Sequence, residues 1–482
     1  MYPDIELYID GEWLGVAGRE TLPVENPATG QIIGQLPVAT AEDLERSLSA
    51  VTEGFEEWRL TSVFERYRLL RAAADLLRER ADRIAPILTM EQGKPLAQAR
   101  TEVLNCADLT DWFAEEGRRA YGLIIPSRSA DVQQLAGKEP IGPVAAFTPW
   151  NFPMSQAVRK VAAALSVGCS VILKGSEETP ASCAALVKAF VDAGIACNAL
   201  NLVFGDPDAI SQKLISDPRI RKVSFTGSTA VGRKLASLAG THLKVATMEL
   251  GGHAPTVVFE DADLKQAVSV LTAQKYRNAG QVCVSPTRFL VHDRHYDSFV
   301  EGFVSYARSL MVGDGLDPGV EMGPLATSRR VTVIEGLVAD ALDKGATLAT
   351  GGKRLGNYGN FFEPTVITEP PLDSRLMNEE PFGPVAIIRR FSSSEEALEE
   401  ANRLPYGLAA YAYTASAQTG LWFSSNVRAG MVSINHHGLG LPELPFGGVG
   451  DSGYGTEGGA EAVNAYLATK IVSHRIAMPA GR

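Results

Sequence analysis

Pro143-Val-Ala-Ala-Phe-Thr148, Ser170-Val-Ile-Leu-Lys174, Leu200-Asn-Leu-Val-Phe204 and Arg221-Lys-Val-Ser-Phe-Thr226 are four short apolar runs. Each is followed by a stretch of helical character, at 153–167, 179–194, 207–216 and 229–239. Strands that are apolar on both faces and alternate with helices belong to a parallel sheet covered on both sides. The fold class is therefore α/β, doubly wound. A fifth strand-like run, 243–250, ends at Glu249. After Gly251-Gly252 the alternation resumes, with a strand at 255–259 and a helix at 263–278 leading into Cys283. This predicts a second α/β domain.

Upstream, Thr40 is a suitable N-cap for a helix over 41–58. Leu69, Leu70, Ala73, Leu76 and Leu77 have helical spacing within 63–84. The segment 123–138 is extended and polar, and a strand-like 467–477 follows a helical 456–466. Two such strands with no core of their own suit a small sheet that projects from the body and pairs with another subunit. The expected division is 1–122 with 141–251 for the first domain, 252–455 for the second, and 123–140 with 466–482 for the projecting sheet.

A chain of 482 residues is too long for one core, so two or three domains are expected. Its 45 basic and 56 acidic residues leave a net charge of −11, which argues against a nucleic-acid partner. No apolar run reaches the roughly 18 residues of a membrane span, and the first residues lack the basic and apolar regions of a signal peptide. Five cysteines without a Cys-x-x-Cys pair read as free thiols in a reducing cytoplasm. Metal-ligand spacing is absent, since His436 and His437 are adjacent and on a strand would point apart.

Three residue types suited to covalent chemistry at a carbonyl stand in Gly- or Pro-marked segments. They are Asn151 in Pro149-Trp-Asn-Phe-Pro153, Glu249 in Met248-Glu-Leu-Gly-Gly252, and Cys283 in Asn278-Ala-Gly-Gln-Val-Cys283. A thiol can attack, an amide can hold an oxyanion, and a carboxylate can activate water. Each has a plainer reading: a free cysteine is commonly a small buried hydrophobe, and an asparagine before a helix is commonly a cap. The polar, Gly-rich approach to Cys283 and the Ser285-Pro286 turn after it favour the thiol as a working group.

For a nucleotide, Gly448-Val-Gly-Asp-Ser-Gly453 has the spacing of a dinucleotide fingerprint but no strand leading into it, so a tight turn is expected. Phe225-Thr-Gly-Ser-Thr-Ala-Val-Gly232 is the better candidate, because Ser228 and the following amides open a helix at the end of a strand. Lys174 and Glu177 follow another parallel strand, where they suit ribose hydroxyls or form a solvated loop. A carboxylate at that place disfavours a 2′-phosphate, so NAD is expected over NADP.

The chain resembles the aldehyde dehydrogenase superfamily along essentially its whole length. The resemblance rests on Pro149-Trp-Asn-Phe-Pro153, Phe225-Thr-Gly-Ser228, Glu249-Leu-Gly-Gly252, Gly280-Gln-Val-Cys283, Glu379-Glu-Pro-Phe-Gly-Pro384 and Pro445-Phe-Gly-Gly448 with Ser452-Gly453. It implies two Rossmann-like parallel-sheet domains with a small β oligomerisation arm, and a homodimer or homotetramer. It implies Cys283 as nucleophile, Glu249 as general base, and Asn151 with the Cys283 amide as oxyanion donors. It also implies cofactor contacts by Thr148, Trp150, Lys174, Glu177, Gly227, Ser228, Leu250, Glu380 and Phe382, with Glu380 facing the nicotinamide ribose. A general base at Glu249 implies release of a free acid rather than transfer to coenzyme A.

Arg159 lies two turns beyond Asn151, and Arg277 six residues before Cys283. Two guanidiniums beside a substrate tunnel would hold a distal carboxylate, unless they are ordinary surface arginines. Their positions are similar to those that hold the acid end in the succinate-semialdehyde dehydrogenase branch. That branch has a serine where this chain has Leu441, and Glu443 would bring a negative charge if it pointed inward. The expected substrate is a carboxylated semialdehyde; a neutral or aromatic aldehyde is the alternative, and an inactive nucleotide-binding structural protein a remote one.

Overall fold

The computed structural model describes residues 1–476, so residues 477–482 of the expected arm lie outside the described part. The predicted strands form one sheet. Leu200–Val203, Val171–Lys174, Val144–Phe147, Lys222–Thr226 and Val245–Glu249 pair in parallel in that order. The chain adds strands outward from Val144–Phe147 on one side and then returns to add Lys222–Thr226 on the other. Between these two strands the winding reverses, and ligands bind at the carboxyl ends of strands beside such a switch point. The two segments at that point are Thr148–Asn151 and Gly227–Ser228.

Three short antiparallel strands extend this sheet: Leu7–Ile9 and Glu12–Leu14 on one edge, and Gly453–Tyr454 against Val245–Glu249 on the other. The last explains the glycines at 448–453. They form a tight turn, with Gly450 and Gly453 at φ 61° and 106°. A Cβ at Gly453 would stand 1.8 Å from the Met248 oxygen, so only glycine lets this turn brace the strand that carries Glu249.

The second sheet is ordered Thr347–Thr350, Thr365–Thr368, Val385–Phe391, Arg288–His292, Pro255–Val258, Ala409–Tyr413, Met431–Ile434, and only the first pair is antiparallel. The third is small and antiparallel, with Val132–Pro140 between Leu123–Ile125 and Leu467–Arg475.

Several element boundaries differ from expectation. The helix expected over 63–84 is two, Val63–Glu79 and Ala81–Gln92, kinked where Arg80 takes φ −93° and ψ 1°. The buried stripe Leu77, Ala81, Ile84, Ala85, Leu88 stays in phase across the kink, so spacing alone does not show it. The helix expected over 456–466 shrinks to Glu461–Asn464, because Gly458 and Gly459 have φ of 127° and 64°, which a right-handed helix does not admit. His436 and His437 follow the strand Met431–Ile434 rather than lying on one, and His437 stacks on Tyr411 at 4.6 Å.

Candidate active site

Asn151 sits just beyond the strand Val144–Phe147 and before the helix Pro153–Ser166, whose first position is the proline favoured there. Its backbone is held from two sides. Lys94 Nζ donates to the Asn151 oxygen at 2.8 Å, and Asn278 Nδ2 donates to the same oxygen at 3.0 Å. Its side-chain Nδ2 donates to the Gln281 oxygen at 3.1 Å, which places the amide against the segment carrying Cys283.

That segment turns sharply. Asn278, Ala279 and Gly280 all have left-handed φ, at 50°, 51° and 72°. For Ala279 this costs about 1–2 kcal/mol, so surrounding bonds must enforce it. Gln98 Oε1 accepts from the Asn278 amide at 2.9 Å, and Gln281 Nε2 donates to the Asn278 oxygen at 3.1 Å. A Cβ at Gly280 would lie 2.1 Å from the Gly383 oxygen. The turn is thereby pressed onto the loop that carries Glu380 and Phe382.

Glu249 ends its strand, and Gly251 and Gly252 allow close approach from both other loops. A Cβ at Gly251 would meet Glu380 Oε2 at 2.5 Å, and one at Gly252 the Cys283 oxygen at 3.1 Å. Neither Glu249 oxygen has a hydrogen-bond partner among the described residues. Burial first, and then the carboxylate of Glu457, hold its acid well above the usual carboxylate range, against the opposing charges of Lys160 and Arg159. Behind it, Lys160 pairs with Glu457 and donates to Thr226 Oγ1 at 2.6 Å, while Ser224 Oγ donates to Glu457 at 2.8 Å. The Cys283 thiol is pushed up to about 12, by burial and then by Glu380 and Glu249. It is a thiol at neutral pH until something lowers that value.

Cys283 stands where two cavities meet. The inner one, of about 610 Å³, is lined by Trp150, Asn151, Gly227, Ser228, Leu250, Glu380 and Phe382. The outer one, of about 330 Å³, is lined by Phe152, Arg159, Arg277 and Phe446. Among the described residues only Cys283 and Gln156 line both. Thr148 and Lys174 line a third cavity of about 410 Å³ with Asp206 and Asp208, and Val231 joins it to the inner one. Glu177 lines none of the three; its carboxylate holds Lys174 at 2.6 Å and accepts from the Gly205 amide at 3.2 Å.

The inner cavity fits a dinucleotide. Ser228 caps the 13-residue helix Thr229–Thr241, its side chain accepting from the Val231 amide, and Thr229, Ala230 and Val231 of the first turn line the cavity, a setting for a diphosphate. Glu380 Oε1 accepts from the Gly252 amide at 3.2 Å, and burial pushes its acid up to about 7. Trp150 and Phe382 meet edge to face at 5.5 Å, and Arg330 donates to the Phe382 oxygen at 3.3 Å.

The two arginines differ. Arg159 is buried, donating to the oxygens of Glu457 at 2.9 Å and Gly440 at 3.0 Å, with its guanidinium 5.0 Å from the Phe446 ring centre. Arg277 lies 5.5 Å from the Phe152 ring centre, and its buried Nε has no partner among the described residues. Leu441 and Glu443 are exposed and lie outside the cavity lining, so the Glu443 carboxylate does not point in. Lys94, Glu102, Gln156, Arg330 and Glu457 were not foreseen from sequence. Among the described residues no group of three metal-ligating side chains occurs.

The model of the Aldehyde dehydrogenase family matches residues 13–472. The chain is 44% identical over 474 residues to the 4-(hydroxymethyl)benzenesulfonate dehydrogenase TsaD1 of Comamonas testosteroni, covering 98% of this chain and 99% of that one. It is 40% identical to the NADP(+) succinate-semialdehyde dehydrogenase GabD of Escherichia coli, over 96% of each. The crystal structure of succinate-semialdehyde dehydrogenase from Burkholderia pseudomallei superposes with a TM-score of 0.96 at 42% identity, over 98% of both chains. With a cysteine between two cavities, a buried carboxylate beside it and these relatives, the chain belongs to the aldehyde dehydrogenase family.

Proposed function

We propose that the chain oxidises an aldehyde bearing a distal anionic group, first of all a carboxylated semialdehyde such as succinate semialdehyde, to the free acid. The observation that carries this is Arg277, a half-buried cation whose Nε is buried without a partner among the described residues, in the cavity that opens onto Cys283. A guanidinium that faces a cavity with its Nε dry and without an acceptor is favourably paired when a ligand brings an anion. The relatives support it, since benzenesulfonate and succinate semialdehyde are both anions. The sulfonate relative favours one second reading, an aromatic aldehyde with an anionic substituent, seated between Phe152 and Phe446.

In this account the Cys283 thiolate adds to the aldehyde carbon, while Asn151 Nδ2 and the Cys283 amide donate to the oxyanion. Bound NAD(P) supplies the hydride acceptor. The resulting thioester is attacked by water as Glu249 takes its proton, and the acid leaves with the thiol restored. Trp150, Gly227, Ser228, Leu250, Glu380 and Phe382 hold the cofactor in the inner cavity, and Thr148 and Lys174 hold its adenosine end, with Glu177 acting there by holding Lys174. Glu177, Asp206 and Asp208 place carboxylates around that end, so NAD is favoured over NADP.

The first sheet with residues 1–122 and 141–251 is the proposed cofactor domain, and 252–455 the catalytic one. The small sheet exposes Ile124 and Ile471, apolar residues that a second subunit would cover, so a homodimer or homotetramer is proposed. Among the described residues no helix is long and apolar enough to cross a membrane, and the five free cysteines suit the cytoplasm.

The test is steady-state kinetics on succinate semialdehyde, a sulfonated benzaldehyde and benzaldehyde, with NAD and NADP side by side. Arg277→Ala is expected to raise KM for the anions by roughly 10–100-fold and to leave benzaldehyde unchanged. Unchanged KM for both anions overturns the anchor.

A further inference from the structure

We infer that Gln156 is a specificity-determining residue that recognises a hydroxyl group on the carbon next to the aldehyde. The inference rests on the reading of the outer cavity as the aldehyde site. Gln156 lies on the helix Pro153–Ser166, one turn before Arg159 and one after Phe152, so the three share the face turned to the cavity. It is 6% exposed, and its Oε1 is buried without a hydrogen-bond partner among the described residues. An amide oxygen in that position needs a donor, and leaving it unpaired is costly.

Position indicates which part of a substrate would supply the donor. Gln156 lines both cavities, as Cys283 does, whereas Arg159 and Arg277 line only the outer one. An aldehyde attached at Cys283 with its anion toward Arg277 therefore passes Gln156 first, with the atoms nearest the reacting carbon. Charge indicates what the donor is. The two nearby guanidiniums disfavour an ammonium there, and a neutral hydroxyl meets no such repulsion. A site built around a hydrogen-bonding oxygen discriminates strongly against the analogue lacking the matching group.

The test is the ratio of kcat/KM for two aldehydes on the full chain with NAD: succinate semialdehyde, and 3-hydroxy-4-oxobutanoate, which carries a hydroxyl beside the aldehyde. The wild-type protein is expected to favour the hydroxylated compound by about 10-fold or more. Gln156→Met is expected to bring the ratio to about 1 through a loss on that compound about tenfold larger than on succinate semialdehyde. No preference in the wild type, an unchanged ratio in the variant, or an equal loss on both compounds overturns the inference. Both aldehydes carry the same carboxylate, so a failure of the Arg277 anchor shows as weak KM for both without touching the ratio. Butanal against 2-hydroxybutanal then gives the same comparison with no anion present.

Discussion

The ammonium of Lys94 lies 2.5 Å from Glu102 and donates to the main-chain oxygen of Asn151 at 2.8 Å. The other Glu102 oxygen accepts from the amides of Met154 at 3.1 Å and Ser155 at 3.2 Å, at the start of the following helix. One buried ion pair thus fixes both the residue proposed to hold the oxyanion and the helix that follows it. Glu102→Ala strands the Lys94 charge and two amides, so it is expected to cost about 3–5 kcal/mol. Denaturant unfolding checks this, and an unchanged midpoint would contradict it.

Asn151→Ala separates chemistry from stability. Its side chain makes one bond, to the Gln281 oxygen, worth about 1 kcal/mol. Turnover is expected to fall by roughly 10²–10³, the effect of losing one oxyanion donor. Stopped-flow measurement of the first NADH formed would show the loss directly, and a near-wild-type rate would remove Asn151 from the chemistry.

Arg159 and Arg277 should respond differently to removal. Arg159→Ala also breaks bonds to Glu457 and Gly440, so it is expected to lower the unfolding midpoint as well as raise KM. Arg277→Ala is expected to raise KM for anionic aldehydes with the midpoint nearly unchanged. Thermal unfolding beside kinetics distinguishes the two; equal destabilisation would mean that both are structural.

Burial, Glu380 and Glu249 push the Cys283 thiol up to about 12, so its neutral form prevails below that pH and the reactive thiolate grows as pH rises. Alkylation by iodoacetamide without cofactor is expected to speed up about tenfold per pH unit between about pH 7 and pH 9. A plateau in that range would show a thiolate already formed.

Sequence reveals those parts of the fold whose cause is local. The central strands are legible because they are buried on both faces, as in Val144–Phe147. Leu7–Ile9 escapes because three residues carry no periodicity. Cys283, Glu249 and Asn151 stand out through the glycines and prolines around them, which close approach demands. Lys94 does not, because its partner Asn151 is 57 residues away and only the folded chain joins them. Gln156 looks like any polar helical residue until the cavities place it beside Cys283. The direction of Glu443 depends on a loop whose course the sequence alone does not determine.

The central claim is that Cys283 carries the acyl group and Glu249 releases it. Intact-mass spectrometry of Glu249→Gln after mixing with NAD and succinate semialdehyde tests it most directly. The account predicts about one NADH per subunit, followed by a stalled protein carrying a succinyl mass on Cys283, with no adduct in the Cys283→Ala control. Continued turnover of Glu249→Gln without an accumulating adduct would contradict it.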